Sequence, residues 1–360
     1  MQMDNERGLQ QQVLDAYGGD RPLQICGGGS KGFYGYPVPG ELLDVSTHSG
    51  IIDYQPAELV LTARAGTPLQ AIEAALAEQN QMLGCEPPHF GDNATFGGMI
   101  AAGLSGPRRP YAGSIADRIL GCRVLNGRGE IMQFGGKVMK NVAGYDLSRL
   151  MAGSLGCLAV ILEATVRVSP VPRAERTLRF ATGQEGVAPL INTLIESGLP
   201  VSASCHDGQS LTVRFSGYEG EIAGLDEALQ QQADISGFEE VASPDYWLQL
   251  REQRTAFFNG NDDIWRLSLA PDTRLDLPGE TLVEWHGALR WLKTDVQAET
   301  IFDSLGKANG SAALFRSTGP DRPDSIFQPL SPALLNWHRQ LKDTFDPLHV
   351  FNRGRMYREF

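Results

Sequence analysis

Two clusters of glycine constrain this chain more than any other feature. The first is GGGSKG at 27–32, directly after a short apolar strand reading PLQIC at 22–26. Successive glycines allow backbone angles that turn N–H groups toward one point, which makes a nest for an anion. Ser30 adds a hydroxyl donor. The two familiar phosphate loops do not fit: Gly32 follows Lys31 where GxxxxGK[ST] needs Ser or Thr, and Phe33-Tyr34-Gly35-Tyr36-Pro37 is no helix start behind a GxGxxG. The residues alone leave a phosphate-cradling loop and a plain tight turn both open. The second cluster is ATFGGMIAAGLSGPRRPYAGSIAD at 94–117. Gly97 and Gly98 open a helix of small residues, and Gly103, Ser105, Gly106 and Gly113 keep the next loop thin. Such a surface admits something large and flat against the backbone, with tight helix packing as the alternative. Arg108 and Arg109 are either anion ligands or solvated cations.

At 360 residues the chain suits two domains, or one with an insertion. Patterning predicts a helix at 8–17 and strands at 22–26, 42–45, 51–54 and 59–66. A helix at 67–80 with proline in its first turn follows. A hairpin of 119–126 and 130–134 turns about Gly127-Arg128-Gly129, and 140–156 reads as a turn and short helix. A strand over 157–170 ends at the boundary marked by Pro170 and Pro172. Beyond Arg173 come a strand (176–180), a helix (187–197), strands at 201–207 and 211–217, and a helix (221–233). Strands at 264–269 and around 282–292, a helix at 296–308 and a strand at 312–317 complete this part. Strand–helix–strand–strand–helix–strand is the order of a ferredoxin-like α+β unit. The tail, 331–360, holds an amphipathic helix and the loop DPLHVFNRG.

A formal net charge of −12 argues against nucleic acid as a partner. The opening MQMDNERGLQ lacks a basic-then-apolar export pattern. Apolar runs such as 158–162 fall far short of the roughly 20 residues of a spanning helix. The expectation is a cytoplasmic protein without direct membrane insertion, reaching the inner face of the membrane only through partners. The five cysteines, Cys26, Cys85, Cys122, Cys157 and Cys205, form no CxxC pair. They read as small buried hydrophobes in a reducing compartment, not as zinc or iron–sulfur ligands, so electrons cannot leave through a cluster of the chain's own.

The order of these segments resembles the FAD-binding type-2 fold, the vanillyl-alcohol oxidase or PCMH-type family. The similarity runs through Ile25, Cys26, Gly27, Gly28, Gly29, Ser30 and Lys31, and through His89 to Thr95 followed by Gly97-Gly98. It continues in Ala102-Gly103-Leu104-Ser105 and in Leu155-Gly156-Cys157-Leu158-Ala159-Val160-Ile161. The resemblance implies non-covalent FAD between two α/β subdomains, with those loops, Thr95, Gly113 and Asp117 among the cofactor-binding residues. SGPRRPYAGSIADRILG, GGKVMKNVAGYDLSRLMAGSLG and DPLHVFNRGRM are similar to the glycolate oxidase and D-lactate dehydrogenase branch. PPHFGDNATFGGM, GALRWLK and the short cap resemble the FAD-binding E subunits of bacterial glycolate oxidase. The implied architecture is α+β: a PCMH-type FAD-binding domain at 1–172, a ferredoxin-like cap at 173–318, and a C-terminal helix and loop at 319–360 returning to the first domain. The implied partners are a larger FAD-containing catalytic subunit and an iron–sulfur subunit. The implied reaction is oxidation of a small 2-hydroxy acid, glycolate, to glyoxylate.

Two departures matter. Covalent members carry a histidine in or near the pyrophosphate loop, and GGGSK has none. Members that oxidise 2-hydroxy acids carry a cap motif H-x-x-G-H-x-G-D-G-N that holds a metal. Here His286 and His206 stand alone, so no metal is expected. Arg266 and Arg290, on cap strands, are candidate carboxylate clamps, and strand alternation leaves open which face each takes. Lys140, Asp146 and Arg149 read as partners of one another near a helix start. No catalytic residue is identified. A self-sufficient hydroxy-acid dehydrogenase and a non-catalytic scaffold subunit stand as alternatives to a dependent FAD subunit.

Overall fold

The computed structural model describes residues 3–136, 146–232, 237–243, 245–317 and 325–360, which form two compact units. Unit 1 comprises Met1–Ser105, Gly113–Pro170 and Leu330–Phe360; unit 2 comprises Gly106–Ala112 and Val171–Pro329. The segment 106–112, inside the second glycine cluster, is thus built into unit 2.

Unit 1 begins with α1 (Glu6–Gly18), β1 (Leu23–Cys26), β2 (Glu41–Asp44), β3 (Ile51–Gln55), β4 (Val60–Arg64), α2 (Leu69–Ala77), β5 (Gln81–Met82) and α3 (Phe96–Ala102). The short α4 (Arg109–Ala112) lies in unit 2. Unit 1 resumes with β6 (Ile119–Leu125), β7 (Ile131–Gly135), β8 (Val160–Arg167) and β9 (Ser169–Pro170). β1 and β2 form a parallel pair, and five antiparallel strands run in the order β3-β4-β8-β6-β7. β5 and β9 form a further antiparallel pair, while the β1–β2 pair and the five-stranded sheet are separate sheets. One hydrophobic core joins them, with Leu9 and Val13 of α1, Leu23 and Leu43 of the pair, and Leu61, Val124 and Leu162 of the larger sheet. α1 and α2 each offer one apolar stripe to it, Leu9-Val13-Ala16 and Leu69-Ile72-Leu76, at helical spacing.

Unit 2 carries β10 (Ala174–Ala181), α5 (Val187–Glu196), β11 (Val201–His206), β12 (Ser210–Gly217), α6 (Glu219–Ala223), α7 (Leu225–Gln230), β13 (Glu239–Glu240) and α8 (Tyr246–Arg251). β14 (Ile264–Ser268), β15 (Glu280–Glu284), β16 (Leu289–Lys293), α9 (Ala298–Lys307) and β17 (Ser311–Arg316) follow. Its antiparallel sheet runs β13-β10-β12-β11-β15-β16-β14-β17. The first four strands have the ferredoxin-like order fourth-first-third-second, and β14 to β17 repeat it in mirror order along the sheet. Strand–helix–strand–strand–helix–strand therefore closes on the short β13, and a second unit of the same order begins at Ile264, with the loop 269–279 in place of its first helix. The segment around 282–292 is a hairpin rather than one strand. Trp285, His286 and Gly287 all take positive φ at its corner, at 54°, 63° and 101°. The helix expected over 221–233 breaks at Gly224, and Ala233 lies outside the described residues.

The tail folds back on unit 1. Ser331 caps α10 (Pro332–Phe345) by accepting from the Leu334 N–H, with Pro332 in the first turn. No helix among the described residues is long and apolar enough to cross a membrane.

Candidate cofactor site

The site is built where β1 ends and α3 begins. β1 delivers Ile25 and Cys26 to the loop at 27–32, where Gly29 takes φ 72°. This loop packs so closely on 93–95 that side chains have no room. A Cβ on Gly27 would meet Thr95 Oγ1, and one on Gly28 would meet the main-chain carbonyl of Asn93, whose side-chain amide donates to the Gly28 carbonyl. Among the described residues, nothing accepts a hydrogen bond from the N–H of Gly28, Gly29 or Ser30. Three consecutive donors thus remain for a ligand, the arrangement an anion requires. The start of α3 offers less. Phe96 N donates to Thr67 O (2.8 Å), Gly97 N to Ala65 O (2.7 Å) and Gly98 N to Thr95 Oγ1 (3.2 Å). Gly97 is required because a Cβ there would collide with Ala65, just past the end of β4.

Two adjoining cavities in unit 1 share this corner. The first is lined by Ile25, Cys26, Gly27, Gly28, Gly29, Ser30, Lys31, Thr95, Gly98 and Ala102, together with Gln24, Gly32, Val38, Ala101, Leu155, Asn352 and Arg355. Among the described residues, its charged lining is Lys31 and Arg355, with no carboxylate. The Lys31 ammonium donates to Ser30 Oγ (3.2 Å) and His89 O (3.0 Å). The Arg355 guanidinium donates to the Gly32 carbonyl at 3.2 Å. The second cavity has Gly97, Gly156 and Ile161 with Val45, Ala65, Ala101, Leu155 and Ala159, and no charged residue. A cationic nest opening onto an uncharged, mainly apolar slot fits a dinucleotide with a pyrophosphate and a flat ring. No histidine lines either cavity. Burial, then the Asp44 carboxylate, pushes the Cys26 thiol above its ordinary value against the opposing pull of Arg355. Cys26 is therefore held as the neutral thiol.

The other sequence-selected residues lie outside these two cavities. His89 is buried with its ring 3.1 Å from Glu73. Gly103 ends α3 at φ 65° with the Gly153 backbone against it, and Val160 sits in the core. Asp117 closes the turn at Gly113 by accepting from Ser114 N (2.8 Å) and Ser114 Oγ (2.7 Å), and Ser105 is half-buried.

The tail residues were not singled out one by one from the sequence, yet they complete the wall. Asn352 accepts from Ile25 N (2.8 Å) and donates to Leu155 O (2.7 Å). It thereby ties the end of β1 to the Leu155-Gly156 turn, whose φ values are 51° and 72°. Behind it, Lys342 and Asp346 form a fully buried ion pair at 2.7 Å. Lys342 also donates to Cys157 O and Phe351 O, while Asp346 accepts from Val350 N and Phe351 N. The one signal available in the sequence was the DPLHVFNRG loop itself.

The cap candidates have structural partners. Arg290 is buried and donates to the Thr273 carbonyl at 2.5 Å, fastening the loop that replaces a helix. Arg266 lies 5.4 Å from the Trp285 ring centre, and Arg109 lies 4.5 Å from the same ring. Arg108 pairs with Glu175 at 2.5 Å. His206 is fully buried with its ring against Thr182 O, and His286 is 3.4 Å from Ala188 O. Asp146 pairs with Arg149 at 2.7 Å; Lys140 lies outside the described residues. Among the described residues, Glu6, His48 and Glu163 bring one ligand atom each within 4.8 Å of the others, but Arg123 already pairs with both carboxylates, at 2.9 and 2.8 Å.

Residues 2–135 match a family model described as an FAD binding domain. The chain is 48% identical over 358 residues to glycolate oxidase subunit GlcE of Escherichia coli (strain K12), spanning 99% of this chain and 98% of that one. This chain belongs to the GlcE family of glycolate oxidase subunits. It is also 33% identical over 156 residues to glycolate oxidase subunit GlcD of Bacillus subtilis (strain 168), covering 43% of this chain and 32% of that one. D-2-hydroxyglutarate dehydrogenase of Xanthomonas citri pv. viticola matches at 32% over 160 residues, 44% of this chain and 34% of that one. The fold is like that of alkyldihydroxyacetonephosphate synthase, with TM-score 0.65 and 16% identity over 96% of this chain and 75% of that one. The family and these relatives make the chain an FAD-dependent oxidoreductase, PCMH-type in fold.

Proposed function

We propose that this chain is the FAD-carrying subunit of a multi-subunit enzyme that oxidises glycolate to glyoxylate and passes the electrons to an iron–sulfur partner. The observation that carries the reading is near-full-length identity to a glycolate oxidase subunit in a chain whose anion nest and apolar slot suit FAD. Bound flavin supplies the hydride chemistry, and the protein supplies position and electrostatics. Within that reading, residues 25–31 hold the pyrophosphate. Thr95, Gly97, Gly98, Ala102, Gly156 and Ile161 line the path of the rest of the cofactor. His89, Gly103, Ser105, Gly113, Asp117 and Val160 shape the surrounding loops. The domain division 1–172, 173–318 and 319–360 belongs to the same proposal, as do a cytoplasmic location and a larger flavin-containing partner. Non-covalent attachment is supported by the neutral Cys26 thiol and by the lack of histidine along both cavities.

Dependence on partners is supported by cysteines that are all free and, Cys26 apart, buried. It is supported further by a unit 2 whose histidines and Arg290 are engaged with backbone carbonyls. The chain purified alone with FAD is expected to show a flavin absorption spectrum, and acid precipitation to release the flavin into the supernatant. Anaerobic glycolate is expected to leave that spectrum oxidised until the partner subunits are added. Bleaching of the isolated chain by glycolate would move the reaction to this chain alone. A folded preparation that takes up no FAD would overturn the reading.

A further inference from the structure

Resting on the FAD reading above, we propose that Arg355, from the C-terminal tail, is the second cationic ligand of the FAD pyrophosphate, so that the tail closes the cofactor site. The sequence-based phosphate loop ends at Lys31, a single positive charge for a pyrophosphate carrying two negative ones. The structure adds a second cation from the far end of the chain. Arg355 lines the same cavity as the three unengaged N–H groups of 28–30, and its guanidinium reaches the loop through the Gly32 carbonyl. Its main chain is anchored as well. Arg355 O accepts from Tyr36 N at 2.9 Å, and Arg355 N donates to Asn352 O at 3.0 Å. Gly35 takes φ 88°, and a Cβ there would press on the Arg355 carbonyl at 2.8 Å. The backbone is therefore fixed, and the planar guanidinium can meet two phosphate oxygens side by side.

The test is FAD affinity of the full chain by fluorescence titration across a salt series, with unfolding followed in parallel. Arg355→Met is expected to weaken FAD binding by on the order of tenfold to a hundredfold, the loss of a charge-assisted hydrogen bond. The dependence of log Kd on log salt should also become shallower than in the unsubstituted chain. Arg355→Lys should keep the salt dependence and recover part of the affinity. Arg353→Met removes a tail cation that pairs with Asp20 outside the cavity and should leave binding unchanged. An Arg355→Met chain that binds FAD as tightly as the parent overturns the proposal. So does one that loses affinity with the salt dependence intact, since a merely structural role behaves that way. Failure of the parent chain to bind FAD at all sinks the functional reading instead.

Discussion

Replacing Lys342 by methionine is expected to lower the unfolding temperature by about 10 °C and to weaken FAD binding with it. Lys342 and Asp346 are both completely buried, 2.7 Å apart. Removing one partner of such a pair leaves the other charged and unpaired in the interior, at a cost of roughly 3–5 kcal/mol. In a unit of this size each kcal/mol moves the midpoint by about 2–4 °C. The carbonyls of Cys157 and Phe351 lose their donor at the same time. The effect on the cofactor follows from the path Lys342, Phe351, Asn352, because Asn352 holds both Ile25 and Leu155 at the cavity. Lys342→Met with Asp346→Asn removes both charges and keeps an amide oxygen to accept from one of the Val350 and Phe351 N–H groups. It should lose markedly less stability than the single variant. Thermal unfolding of the two variants beside the parent, each with saturating FAD, decides the matter. A single variant as stable as the parent would mean the pair is not an anchor.

Gly28→Ala is expected to reduce FAD affinity by a factor on the order of 100 or more while changing global stability little. The added methyl cannot coexist with the Asn93 carbonyl, so the loop must move off 93–95. The three N–H groups at 28–30 then no longer converge, and two or more hydrogen bonds to a charged phosphate are lost together. The loop carries no residue of the main core, which is why unfolding should hardly register the change. Gly18→Ala, at the end of α1 with nothing within 4 Å of its Cβ, is the matched control and should bind FAD normally. Flavin retained after gel filtration, quantified by absorbance, reads both variants. Stoichiometric flavin in the Gly28→Ala chain would show that the loop is a turn and not a cradle.

Much of unit 1 was legible in the residues. Amphipathic α1 and α2, the strands β1 to β4, the Gly127–Gly129 turn and the glycine loop all follow from local patterning and backbone freedom. Helix ends shifted by two or three residues at α2, observed at Leu69–Ala77 against an expectation of 67–80, as capping geometry rather than apolar spacing sets them. Unit 2 was harder to read. Its first half ends on a strand of two residues, Glu239–Glu240, too short to show any period, so patterning alone points to the next long strand, Ile264–Ser268, as the fourth. The hairpin corner at Trp285-His286-Gly287 was concealed because Trp and His rarely accept positive φ; Trp285 is held there by its bond to the Gly106 carbonyl at 3.0 Å.

The sequence by itself determined that a glycine-rich loop follows a short strand and that its backbone is free to take the angles of an anion nest. It also determined that no histidine stands in that loop and that the five cysteines form no CxxC pair, because these depend on residue identity and near neighbours. Only the tertiary structure decided what completes the site. Asn352 meets Ile25 across 327 positions and Arg355 meets Gly32 across 323, pairings fixed by a buried ion pair and by the shared core rather than by any local preference. It likewise decided that Arg290 fastens the loop 269–279 through the Thr273 carbonyl. Strand alternation says only that a side chain faces one side or the other, and which side is burial or water is a property of the packed sheet.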